Sequence, residues 1–103
     1  MMTTMNEFVK EIKRLEALRY STAFTPEHEE ADKAYFDMVD LALSANIEDA
    51  LCIPFVVVNK ILETNPFLIF DDELLFSRTG VTFCMIRVDN KEEFYQKYLR
   101  GTF

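Results

Sequence analysis

The densest apolar run of the chain extends from Ala50 to Phe70, with the sequence ALCIPFVVVNKILETNPFLIF. Few polar side chains interrupt this run. They are Asn59, Lys60, Glu63, Thr64 and Asn65. Because apolar surface is driven out of water, we expect the remaining chain to fold against this run.

The middle of this apolar run predicts a helix between two prolines. Pro54 can open the helix, since the first turn leaves its N–H donors unpaired in any case, and Pro66 ends it. Apolar side chains then repeat with helical spacing. They are Phe55, Val58, Ile61 and Leu62. The three β-branched residues 56–58 favour a strand instead, so both interpretations stay open and the helix is preferred.

Two amphipathic helices precede the run. The first is predicted over Asn6–Tyr20, with Phe8, Ile12 and Leu15 on its apolar face. The second starts at Thr25 as the cap, with Pro26 in the first turn, and extends to about Ala45. Its apolar arc exceeds half the circumference, which indicates a helix with neighbours on two sides and a narrow acidic outer edge.

A short third helix is predicted over Ile47–Cys52, capped by Asn46. After Pro66, the segments 67–70 and 74–77 predict a hairpin with its turn at residues 71–73.

A longer strand follows over Val81–Val88, with apolar residues on both faces. Asp89 or Asn90 then caps a closing helix. The pattern predicts an α+β fold over residues 1–103 as a single domain. Its N-terminal half is helical, with three to four helices, and a small antiparallel three-stranded sheet and a C-terminal helix follow.

The order of elements from residue 32 to residue 77 resembles a winged helix-turn-helix domain. The resemblance is based on a helix, a short helix, the turn Ile53-Pro54, a longer helix, and NPFLIFDDELLFS as the wing. It implies a DNA-binding transcriptional regulator. The helix that would read DNA offers only Lys60 as a basic residue, and the wing tip would be the acidic residues 71–73, so we expect no DNA binding.

No apolar run reaches the roughly 20 residues that cross a bilayer, and the N-terminus lacks the order of a signal peptide. Cys52 and Cys84 lie among apolar residues, which predicts reduced thiols in the core of a cytoplasmic protein. A disulfide between the two cysteines is the alternative.

The net charge of −7 is concentrated in one segment. Residues 27–49 contain eight acidic side chains against Lys33, whereas the flanking parts of the chain are nearly balanced. Such an acidic segment suits contact with a basic partner.

The sequence contains no motif typical of a catalytic, metal-binding or phosphate-binding site. His28 is the only histidine, and the two glycines, Gly80 and Gly101, cannot build a phosphate-binding loop. The acidic residues 71–73 lack the spacing of a calcium loop. We therefore expect neither an enzyme nor a metal or cofactor site.

The sequence favours a small acidic adaptor or inhibitor that docks on a basic protein surface. Ten phenylalanines and four tyrosines exceed what one small core can hide, so some apolar side chains should stay exposed. The candidates are Phe36, Leu43, Tyr95 and Phe103. A homodimer through the sheet or the closing helix is also expected. Exposed strand edges pair with one another unless charged side chains prevent it, and strand 81–88 has Arg87 as its only charged residue. The predicted partner-binding residues are Glu29, Glu30, Phe36, Asp37, Asp40 and Leu43.

Overall fold

The computed structural model describes residues 3–70 and 72–100 and confirms the α+β class. By contacts the chain divides into two compact units, Met1–Glu48 (unit 1) and Asp49–Phe103 (unit 2). The single-domain assignment stays a prediction. The elements are α1 (Met5–Ser21), α2 (His28–Leu43), β1 (Ala50–Pro54), α3 (Phe55–Thr64), β2 (Asp72–Arg78), β3 (Val81–Arg87) and α4 (Lys91–Phe94), which continues as a π-helical segment (Tyr95–Leu99).

Unit 1 contains an antiparallel pair of helices, α1 and α2. A capping box begins α1: Thr4 N–H donates to Glu7 Oε2 (3.1 Å), and Glu7 N–H donates to Thr4 Oγ1 (3.3 Å). α2 begins at His28, three residues beyond the predicted cap Thr25, whose hydroxyl donates to the carbonyl of Thr22 (2.6 Å). The turn therefore uses Thr25, and α2 begins without a side-chain cap. The buried residues of the two helices are Met5, Phe8, Val9, Ile12, Leu15, Ala31, Tyr35, Val39 and Ala42.

Unit 2 is built on an antiparallel sheet in the order β1-β3-β2. β3 is central and pairs Ile53 with Cys84 on one side and Leu75 with Cys84 on the other. Alternate residues point to opposite faces, and α3 packs against β1 and β3. The buried cluster of this unit consists of Ile53, Val57, Val58, Ile61, Cys84, Ile86, Val88 and Leu99.

The predicted short helix over residues 47–52 is wrong. Ala50–Pro54 forms strand β1, with Leu51 opposite Ile86 and Cys52 opposite Met85. The N–H and C=O groups of β1 form hydrogen bonds with β3, which lies more than thirty residues later in the chain. A short apolar run is compatible with a helix or a strand, and only its pairing partner decides between them.

The predicted strand over residues 67–70 is also wrong, since no described residue of that segment belongs to a strand. The hairpin joins β2 and β3 through Thr79 and Gly80, whose φ angles are 51° and 83°. Two successive positive φ angles match the twist of the strands they connect. Of the predicted turn, Asp71 lies outside the described residues and Asp72 begins β2.

Three other predictions are confirmed. α3 begins directly after Pro54 in spite of its β-branched residues. β3 occupies Val81–Arg87, and Asn90 caps the closing helix by accepting from Glu93 N–H (3.0 Å). The helix-turn-helix arrangement is absent from the described residues, because strand β1 stands between α2 and α3.

Candidate functional site

The acidic outer edge of α2 is exposed as the helical pattern requires. At about 100° per residue its acids fall within one arc, opposite the buried side chains Ala31, Tyr35 and Val39. Lys33 is exposed within the same arc. We call the four acids the acidic stripe: Glu29, Glu30, Asp37 and Asp40.

Two apolar side chains, Phe36 and Leu43, border the acidic stripe and are half-buried. The Phe36 ring packs edge-on against Tyr35, with 5.2 Å between ring centroids. The Arg19 guanidinium lies 4.4 Å from the centroid of Tyr35 and 5.0 Å from that of Phe36. Arg19 therefore helps to hold the Phe36 ring at the border of the acidic stripe.

Arg19 also connects the two helices through charge. Its Nε donates to Asp32 Oδ1 (2.9 Å), and its carbonyl lies 3.1 Å from His28 Nδ1. Because Asp32 is bonded to Arg19 in this way, we assign it to the packing of unit 1 and not to the acidic stripe.

The charge along the acidic stripe is uneven. Lys33 Nζ donates to Asp37 Oδ2 (2.9 Å), and this hydrogen bond, together with the charge of Asp37, raises the pKa of Lys33. Glu29 and Glu30 form no ion pair with any residue in 3–70 or 72–100. The positive end of the helix dipole favours both acids. The least compensated negative charge therefore lies at the N-terminal end of α2.

A shallow groove of about 360 Å³ lies between α1 and α2 at this same end. We call it the α1–α2 groove. Its apolar floor contains Leu15, Leu18, Ala31 and Ala34, and its rim contains Arg14, Thr22, Glu27 and Glu30.

The connection between the helices exposes aromatic rings that the sequence analysis did not single out. Phe24 is fully exposed, with φ at 67°, and Tyr20 is 77% exposed. Leu18, near the C-terminal end of α1, is 39% exposed. Helical periodicity could not reveal Phe24, because it lies outside both helices.

The other predicted surface aromatics have separate positions. Tyr95 is exposed in the closing helix of unit 2, and Phe103 lies outside the described residues. A second open cavity, of about 300 Å³, lies in unit 2 between Leu68, Val88 and Tyr98. Its rim mixes both signs of charge, with Asp89 and Lys97 among its residues, and so favours no one class of ligand.

The cysteines offer little nucleophilic chemistry. Burial, reinforced by the neighbouring Cys84 thiol, raises the pKa of Cys52 to about 12. In register Cys84 lies opposite Ile53, the residue after Cys52, so the two thiols point to opposite faces of the sheet. Both cysteines are thiols, and no disulfide joins them.

Within the described part of the chain, no group of three or more metal-binding side chains comes together. In the same residues, no helix combines the length and the hydropathy that crossing a bilayer requires. No family model, curated protein or solved structure matches the chain.

Proposed function

We propose that the protein is a non-catalytic interaction domain that docks on a basic surface of a partner protein through the acidic stripe. The observation that carries this proposal is the exposure of four acids on one arc of α2, with the half-buried Phe36 and Leu43 beside them. An adaptor or an inhibitor would use the surface in the same way.

The physical argument has a charged part and an apolar part. Complementary charge speeds the encounter of two proteins and sets their orientation, while desolvated apolar groups supply most of the lasting affinity. The acidic stripe supplies the complementary charge, and Phe36 and Leu43 at its border supply the apolar groups. Phosphates and anionic membranes would be repelled by Glu29 and Glu30, which leaves basic proteins as the favoured class of partner.

A DNA-binding regulator is the alternative, and its support is weaker. It would need clustered cations, since phosphate contacts supply most of the non-specific affinity. On α1, the guanidinium of Arg14 is bonded to Glu11 and that of Arg19 to Asp32. On α3, Lys60 is the only basic residue.

The test is the affinity for a basic amphipathic peptide. The probe is a fluorescent peptide of roughly 18 residues, with lysines on one helical face and leucines on the other. Its binding is measured by anisotropy at several salt concentrations. The Glu29→Lys/Glu30→Lys variant should bind about tenfold more weakly, since it replaces two attractive contacts by repulsive ones. Affinity should also fall with salt.

The matched control is Glu63→Lys/Glu92→Lys, which changes net charge by the same amount at two exposed positions outside unit 1. The control should stay within about twofold of the wild type. An equal loss in both variants would show that net charge alone governs binding, and the acidic stripe would lose its role.

A further inference from the structure

We infer that the α1–α2 groove is the binding site for a basic amphipathic helix contributed by the partner protein. This inference rests on the proposed function and specifies the partner element and where it binds. It concerns Leu15, Leu18, Ala31 and Ala34, which the acidic stripe does not include.

The floor of the groove is lined partly by small side chains. Ala31 and Ala34 are small residues on α2, so a neighbouring backbone can approach closely above them. On the α1 side, Leu18 leaves part of its side chain in water. Leu15 and Ala31 at the bottom of the groove are already buried, so Leu18 and Ala34 supply the apolar surface that a helix-in-groove ligand would cover.

The residues at the rim of the groove determine which charge the bound helix should carry. Glu27 and Glu30 stand at the rim with no ion pair to any described residue, whereas Arg14 Nε donates to Glu11 Oε2 (3.0 Å). The net field at the rim is therefore negative, and it is complementary to lysines or arginines flanking an apolar stripe.

The exposed rings extend this surface beyond the groove. Phe24 follows the rim residue Thr22 by two positions and is fully exposed, and Tyr20 is largely exposed. Aromatic side chains that become desolvated on binding are frequent hot spots. A helix longer than the groove would therefore gain apolar contacts at its end.

The variant that tests this binding site is Ala34→Arg, which fills the floor of the groove with a long side chain. Its matched control is Ala17→Arg, the same substitution at an exposed position of α1 outside the groove. With the lysine–leucine peptide as probe, Ala34→Arg should weaken binding by about tenfold or more, and Ala17→Arg by less than about twofold. Equal effects of the two arginines would overturn the inference.

Two further measurements keep the test decisive. Leu18→Ser removes apolar floor without filling the groove, and should weaken binding by about threefold to tenfold even if Ala34→Arg disturbs folding. A peptide of the same composition in scrambled order should bind about tenfold more weakly, since it cannot align its leucines on one helical face. Equal binding of both peptides would overturn the helical occupant.

The outcomes separate this inference from the proposed function. If Glu29→Lys/Glu30→Lys weakens binding while Ala34→Arg and Leu18→Ser leave it unchanged, the groove is not the binding site and the acidic stripe keeps its role. If the charge variant has no more effect than its control, the proposed function fails, and with it the basic occupant.

Discussion

The two compact units differ in where they carry their charge. Met1–Glu48 contains ten acidic and five basic side chains, whereas Asp49–Phe103 contains eight and six. Within unit 1, four of the five basic residues belong to α1, whereas α2 has five acidic residues and one basic residue. Unit 2 has no comparable separation and is built around the apolar cluster on one face of its sheet.

This difference separates stability from recognition. Burial in unit 2 contributes free energy of folding without presenting any charged face, while the outer surface of α1 and α2 presents charge and an apolar groove. We therefore expect substitutions in the core of unit 2 to change unfolding and leave peptide affinity unchanged. The reverse should hold for the acidic stripe and the α1–α2 groove.

The largest effect should come from Ile86→Ala, which creates a cavity in the cluster of unit 2. Ile86 is fully buried in the central strand, and deletions of this size cost about 2–5 kcal/mol. Urea unfolding measures the loss, with the exposed Val81→Ala expected to cost less than about 1 kcal/mol. A lower peptide affinity of the folded Ile86→Ala protein would break the separation between the units.

Alkaline pH should produce the next effect, again in unit 2. Burial favours the neutral Cys52 thiol, so its pKa in the folded state, about 12, lies above the ordinary value of 9.0. The stabilising contribution is complete below pH 9 and is lost as the pH rises towards 12.

Urea unfolding at a series of alkaline pH values should therefore show a steady loss of stability, and Cys52→Val should reduce its slope. Burial also raises the pKa of Tyr35, with Glu16 adding to the shift, so unit 1 contributes to the loss in the same direction. An unchanged slope in Cys52→Val would assign the alkaline loss to groups other than Cys52.

In unit 1 the packing of the helices should depend on Arg19. Arg19→Ala removes the bond to Asp32 and the contact with two aromatic rings, and should cost about 1 kcal/mol. Arg14→Ala removes an exposed pair within one helix, and should cost less than about 0.5 kcal/mol. Equal losses in the two variants, measured by thermal unfolding, would mean that Arg19 does not connect the helices.

The sequence predicted unit 1 better than unit 2, because its signals are local. The apolar spacing of Phe8, Ile12 and Leu15 indicates a helix from neighbouring residues alone. The segments Ala50–Pro54 and 67–70 are apolar runs with no such internal signal. Their structure depends on pairing with β3, which the first segment has and the second lacks.

The acidic stripe followed from helical periodicity alone, since exposure on α2 is a property of one helix. The α1–α2 groove could not be predicted from the sequence. It depends on how Leu18 and Ala34, from two different helices, come to line the same depression. Phe24 carried no signal either, because neither helix includes it.

The smallest effect should appear at the hairpin turn of unit 2. Thr79 is β-branched and has φ at 51°, a conformation that Asn adopts with less strain. Thr79→Asn should stabilise the protein by about 0.5–1 kcal/mol in urea unfolding. Gly80→Ala should destabilise it, since its φ is 83°. A destabilised Thr79→Asn would show that the threonine side chain contributes more than its backbone strain costs.

The central position of β3 has a consequence for synthesis on the ribosome. β1 and β2 flank β3 in space but precede it in the chain, so neither has its partner until residue 87 has been made. The helices of unit 1 need no such wait, because their contacts join neighbouring segments. We therefore expect α1 and α2 to pair while β1 and β2 are still unpaired, and during that interval the nascent chain is most open to aggregation or chaperone capture.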